Sequence, residues 1–151
     1  MSSMNDAGVV AGPTPGQTSH THRVRRLAGT GLVATLAATV ATTLVAALAR
    51  AGGIDFEVPD GGEAIPLSGF AVMTGFFSVV GIGIAAALLR WSVRPAERFV
   101  WVAVALTAIS LIPPLFCGAN TATIAALLGL HLVPAAVMIP TLARSLRTRT
   151  D

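Results

Sequence analysis

The side chain in this sequence with the widest chemical range is His131, because an imidazole can donate, accept or carry a proton. It stands in an uncharged run: between Arg98 and Arg144 there is no Asp, Glu, Lys or Arg. Counting from His131 out to a turn near Ala119, and back by the same distance, reaches Thr107. Counting inward from the far ends of the two preceding apolar runs reaches Thr39 and Ser78. If each run is a helix crossing a bilayer, Thr39, Ser78, Thr107 and His131 share one depth within about a helical turn, roughly 5 Å. Ionisable groups inside a membrane are functional candidates by default, here for proton or ligand handling. The structural alternative, which the sequence favours, has neutral His131 donating to one hydroxyl, or to the Leu130 carbonyl that Pro134 deprives of its usual N–H. One histidine is a poor proton relay, and without a second buried one it makes a weak haem site.

Other residues offer less. Asp55, Glu57, Asp60 and Glu63 lie close together, but their spacing does not match a calcium-binding helix-loop-helix loop. They read as a solvated acidic loop that pairs with Arg50. His20 and His22 form an isolated His-x-His near the N-terminus, sufficient only for adventitious metal binding. The single cysteine, Cys117, excludes an internal disulfide and a cysteine-based metal cluster. There is no Gly-rich phosphate loop, no metal-spaced His/Glu pair and no nucleophile elbow. A non-enzymatic protein with no cofactor is the expectation.

The elements that must position these residues follow from composition. The chain is 54% hydrophobic and 11% charged, with a mean hydropathy of +0.76. A soluble domain carries about 25% charged residues, so this chain lacks the charge to clothe a water-facing surface. Four apolar runs, at residues 27–49, 67–89, 99–116 and 122–143, each suit a bilayer core of about 30 Å. The last two divide at Cys117-Gly-Ala-Asn-Thr121, with Pro113-Pro114 loosening the helix before it and Asn120 or Thr121 capping the next. The first run exceeds the 7–15 apolar residues of a secretory signal core, so it is read as a retained span. The expected fold is all-α: an integral membrane four-helix up-and-down bundle over residues 23–147. Residues 1–22, rich in Ser, Thr, Gly and Pro, read as a disordered cytoplasmic tail, and residues 148–151 as a second tail.

Charge sets the orientation. With the N-terminus in the cytoplasm, Arg23, Arg25, Arg26, Arg90, Arg94, Arg98, Arg144, Arg147 and Arg149 lie inside, and only Arg50 lies outside. That asymmetry places both termini in the cytoplasm of a cell-membrane protein. Arginines flanking apolar runs also argue against a nucleic-acid partner; the lipid bilayer is the expected one. Arg90, Arg94 and Arg98, in a short inner loop, are placed to meet anionic headgroups, each worth about 1 kcal/mol.

Small residues suggest how the helices pack. Ala71, Thr74, Gly75, Ser78, Gly81 and Ala85 line one face of the second span, and Thr35, Ala38, Thr39 and Thr42 one face of the first. Such faces let backbones approach closely, so these two spans are expected to form an antiparallel pair. In the outer loop, Ile54, Phe56 and Val58 alternate with Asp55 and Glu57 ahead of the turn signal Asp60-Gly-Gly, the pattern of a small hairpin over the bundle mouth.

Several short motifs carry a resemblance: Phe56-Glu-Val-Pro59, Leu67-Ser-Gly-Phe70, Arg94-Pro95 before the third span, Ser110-Leu-Ile-Pro-Pro114 and His131-Leu-Val133. Together they resemble a family of small four-span membrane proteins of unknown function, common in high-GC Gram-positive bacteria, over about residues 27–146. The resemblance implies the four-span architecture and no activity. Three functional classes stay open. The first is a structural or interaction subunit that packs with a second copy or a partner protein. The second is a small transporter or channel subunit using the layer around His131, with helices broken by Pro113-Pro114, Pro134 and Pro140. The third is a quinone-linked redox subunit.

Overall fold

The computed structural model describes residues 15–57 and 64–147, and side chains from residue 21 onward. The chain forms α1 (Pro15–Ala51), α2 (Leu67–Trp91), α3 (Pro95–Ser110), α4 (Ile112–Phe116) and α5 (Thr121–Arg147). Four segments are long and apolar enough to cross a membrane: Thr21–Ala51, Leu67–Trp91, Pro95–Phe116 and Thr121–Arg147. No strand occurs among the described residues.

Helix boundaries extend past the apolar runs. α1 is already helical at Pro15, inside the stretch expected to be a disordered tail. Proline is well suited to a first helical turn, where its missing N–H has no partner to lose. Residues 1–14 and 148–151 lie outside the described residues, and so do Arg149, Asp60 and Glu63. The inner loop is also shorter than its sequence suggests. α2 continues through Trp91, α3 starts at Pro95, and only residues 92–94 connect them. Glu97 in the first turn of α3 suits the positive end of the helix dipole.

The third span breaks where two prolines demand it. Pro113 and Pro114 offer no N–H, so α3 stops at Ser110 and the short α4 resumes at Ile112. Leu111 N–H is shared between the Thr107 and Ala108 carbonyls, and the Ser110 hydroxyl donates to the Thr107 carbonyl at 2.7 Å. Gly118, at φ 68°, then reverses the chain. The Asn120 side-chain oxygen caps α5 by accepting the Thr123 N–H at 2.8 Å. By contrast, α5 runs unbroken through Pro134 and Pro140, where breaks were expected. Membrane helices tolerate internal proline when neighbouring helices shield the freed carbonyl.

α1 and α2 make the most extensive helix pair. Thr35, Ala38 and Thr42 of α1 and Thr74, Ser78 and Ala85 of α2 are buried, and a Cβ on Gly75 would sit 4.0 Å from Thr39 Oγ1. The two small faces therefore meet in part, since Ser78 and Gly81 open onto a space between α2 and α3. Ile82 packs directly on Gly31, where a Cβ would lie 2.7 Å from its Cγ1. α5 packs on α1 and α3, so the order around the bundle is α2, α1, α5, α3. Two clusters fill it: Leu27, Phe99, Met138, Leu142 and Leu146 toward the arginine-rich end, and Ala46, Phe56, Leu127 and Leu130 toward the other.

Phe56 closes that second end. Its side chain is fully buried and meets Phe70 edge-on, with ring centroids 5.1 Å apart. Its backbone stands at φ 53°, a conformation bulky residues rarely adopt. Burial of the ring offsets that cost. Of the expected hairpin, the described residues show an antiparallel bridge between Glu57 and Ala64, joined by an Ile65 N–H to Phe56 carbonyl bond of 3.3 Å; its turn lies outside them. Among the described residues the Arg50 guanidinium donates to the Ile65 carbonyl and pins the loop's return; Asp60 and Glu63, two of its four expected acidic partners, lie outside them.

Two outcomes follow for detergent-solubilised protein. Phe56→Ala should lose about 3 kcal/mol of unfolding free energy in a denaturant titration, as expected for emptying a buried aromatic site. Gly31→Leu should separate α1 from α2, lowering the melting temperature, whereas Gly29→Leu, whose Cβ would meet nothing within 4 Å, should leave it nearly unchanged.

Candidate functional site

His131 lies ten residues into α5, about 15 Å from that helix's start, and so near mid-span. Its Nδ1 is 2.8 Å from the Leu127 carbonyl, one turn back on the same helix. A carbonyl can only accept, so Nδ1 carries the hydrogen, and in the neutral ring Nε2 presents a lone pair. The partner is thus neither a hydroxyl nor the Leu130 carbonyl, the two expected from sequence. Helix geometry explains the choice: a side chain leans toward the N-terminal turn and reaches the i−4 carbonyl first.

The four residues of the expected polar layer do not all meet. Ser78, Thr107 and His131 line one cleft between α2 and α3, with α5 as its floor and a volume of about 470 Å³. Thr39 faces Gly75 within the α1–α2 contact instead. Of the layer's hydroxyls, Thr107 is already committed, donating to the Ala103 carbonyl at 2.8 Å. Equal depth is not adjacency, because a helix can carry a residue at the right height on the wrong face.

The cleft's other walls combine residues that the sequence offered in other roles with aliphatic ones it did not single out. Gly81 thins the α2 wall, and a Cβ there would meet nothing within 4 Å. Pro113 and Pro134 line it too, while no Asp, Glu, Lys or Arg does. The prolines and the glycine were visible signals, but only the three-dimensional arrangement puts them on one surface. The walls are otherwise aliphatic and aromatic, including Phe77, Phe99, Val102 and Leu106. Such a surface can hold an apolar molecule and offer it a few hydrogen-bonding atoms.

The arginine-rich end has a different chemistry. Arg90 shares a recess with Arg25 and the exposed Trp91. Arg94 shares another with Arg147 and the exposed Trp101, and it pairs with Glu97 at 3.4 Å on the surface. Arg98 is exposed beside them. Cationic guanidinium beside indole is the composition suited to the headgroup region. Among the described residues no three His, Cys, Asp or Glu side chains group closely enough to hold a metal ion. Of the His-x-His pair, His22 is exposed and the His20 side chain lies outside the described residues.

Comparison with curated proteins and with solved structures finds no match. Residues 22–148 match the family model described as Family of unknown function (DUF6069). Apart from Thr21, that match covers all four candidate spans, the cleft and both recesses. The chain belongs to this DUF6069 family.

Proposed function

We propose that this protein is a non-enzymatic subunit of the cell membrane that works by holding an apolar partner, within the bilayer, in the cleft between α2 and α3. The carrying observation is the cleft itself: a sideways-facing space of about 470 Å³, free of charge and floored by an imidazole. Sites of about 300–1,000 Å³ with apolar walls and a few placed polar atoms are the usual form of a binding site.

A transport role needs a polar path along the bundle axis. Here the axis is filled near one end by Leu27, Leu142 and Leu146, and near the other by Phe56 and Leu127. The polar atoms face the side instead, which weighs toward holding over passage.

Both termini belong in the cytoplasm under this proposal. Eight described arginines cluster at the end of the bundle formed by the start of α1, the α2–α3 connection and the close of α5, with Arg50 alone at the other. The positive-inside rule then supports that end as cytoplasmic.

A photoreactive amino acid placed at Val102 or Leu106 in the cleft, or at the outward-facing Leu36 or Leu48 of α1, tests the proposal in native membranes. The cleft positions should give a discrete, saturable adduct of one mass, while the α1 positions label only bulk phospholipid. The same bulk-lipid pattern from all four positions would contradict it.

A further inference from the structure

We infer that the cleft selects a neutral, lipid-soluble molecule with a hydroxyl group on a slender apolar body, and that His131 Nε2 accepts a hydrogen bond from that hydroxyl. This rests on the proposed binding role of the cleft and specifies its ligand.

One acceptor lining the cleft stands without a donor. His131 Nδ1 is committed to the Leu127 carbonyl, so the ring's free position is an acceptor, and Nε2 has no hydrogen bond among the described residues. Thr107 and Ser110, on the cleft wall, have already given their hydrogens to the Ala103 and Thr107 carbonyls. Only the Ser78 hydroxyl remains to donate from the side chains lining the space. An occupant that brings its own donor pairs Nε2. One that brings only acceptors leaves Nε2 unpaired, the stronger basis of discrimination in a buried site.

Charge and depth exclude the common membrane lipids as the specific ligand. No arginine reaches the cleft to neutralise a phosphate or carboxylate, and His131 lies about 15 Å inside the span. A phospholipid headgroup would have to leave the interface to meet Nε2, whereas a hydroxylated hydrocarbon dissolves in the bilayer interior and enters from the side.

The wall formed by α3 and α4 runs from Phe99 to Pro113, about 20 Å at 1.5 Å per residue, long enough for a single hydrocarbon chain. Gly81 leaves room for it on the α2 wall.

The test uses full-length protein in phosphatidylcholine nanodiscs, with a diazirine-bearing hexadecanol and its methyl ether as probes, followed by peptide mapping. The alcohol should label cleft peptides of α2, α3 and α5 roughly ten-fold above the ether, as expected for an acceptor left unpaired by the ether. His131→Phe should bring the alcohol down to the ether's level. Gly81→Leu, which fills the cleft and leaves His131 in place, should block both probes. Equal labelling of the cleft by alcohol and ether overturns the hydroxyl selectivity and leaves the cleft as a binding site. Labelling spread over the outward faces, with the cleft peptides not enriched, overturns both. The alcohol–ether comparison is made on the unaltered protein, so it decides the matter even where His131→Phe fails to insert.

Discussion

A bilayer interior supplies no water to a peptide group, so each N–H and C=O must find its partner inside the protein. For a chain that is 54% hydrophobic, this leaves helices as the way to cross, and it governs the details as well as the outline. Thr35, Thr43, Thr107 and Thr141 each turn a hydroxyl back to the carbonyl four residues earlier. His131 does the same with Nδ1. Breaks in helical pairing occur where other groups can step in, as Leu111 and Ser110 do ahead of Pro113. The buried Thr42 hydroxyl has no partner among the described residues, and we have no physical account of it.

The same constraint explains why the bundle is uneven. Lipid gives helices little hydrophobic reason to associate, so the closest pair forms where side chains are smallest. α1 and α2 offer Ala, Thr and Gly to each other, and the backbones come near enough at Gly31 to touch Ile82. α2 and α3 face each other across Phe77, Val80 and Ile84 on one side and Val102, Leu106 and Ile109 on the other. These larger side chains do not interlock, and the space between the two helices is the cleft. A three-residue connection between α2 and α3 therefore joins neighbours that do not close along their length.

Much of this was legible in the residues. Apolar run length fixed the four spans, the Cys117–Thr121 turn divided the last two, and Asn120 caps α5 as its type suggests. The small faces of α1 and α2 were readable because their spacing is helical. What escaped the sequence depended on angles about helix axes and on loops. Thr39 has the depth of Ser78 yet faces the α1–α2 contact, because depth follows from counting while direction follows from packing. Phe56 reads as one apolar residue in an alternating strand, but its left-handed backbone turns the ring into the bundle mouth. Pro134 and Pro140 look like breaks, and α5 absorbs both.

Four crossings with every arginine-rich segment on one side is the claim on which site, cleft and orientation all stand. It is tested most directly by single cysteines at Thr21, Asp55, Val93, Thr121 and Arg147 in a Cys117→Ser background, labelled in intact cells with a membrane-impermeant maleimide. Asp55 and Thr121 should react from outside, and Thr21, Val93 and Arg147 only after permeabilisation. Reaction of Thr21 and Arg147 from opposite sides, or of Asp55 and Val93 from the same side, would contradict the account.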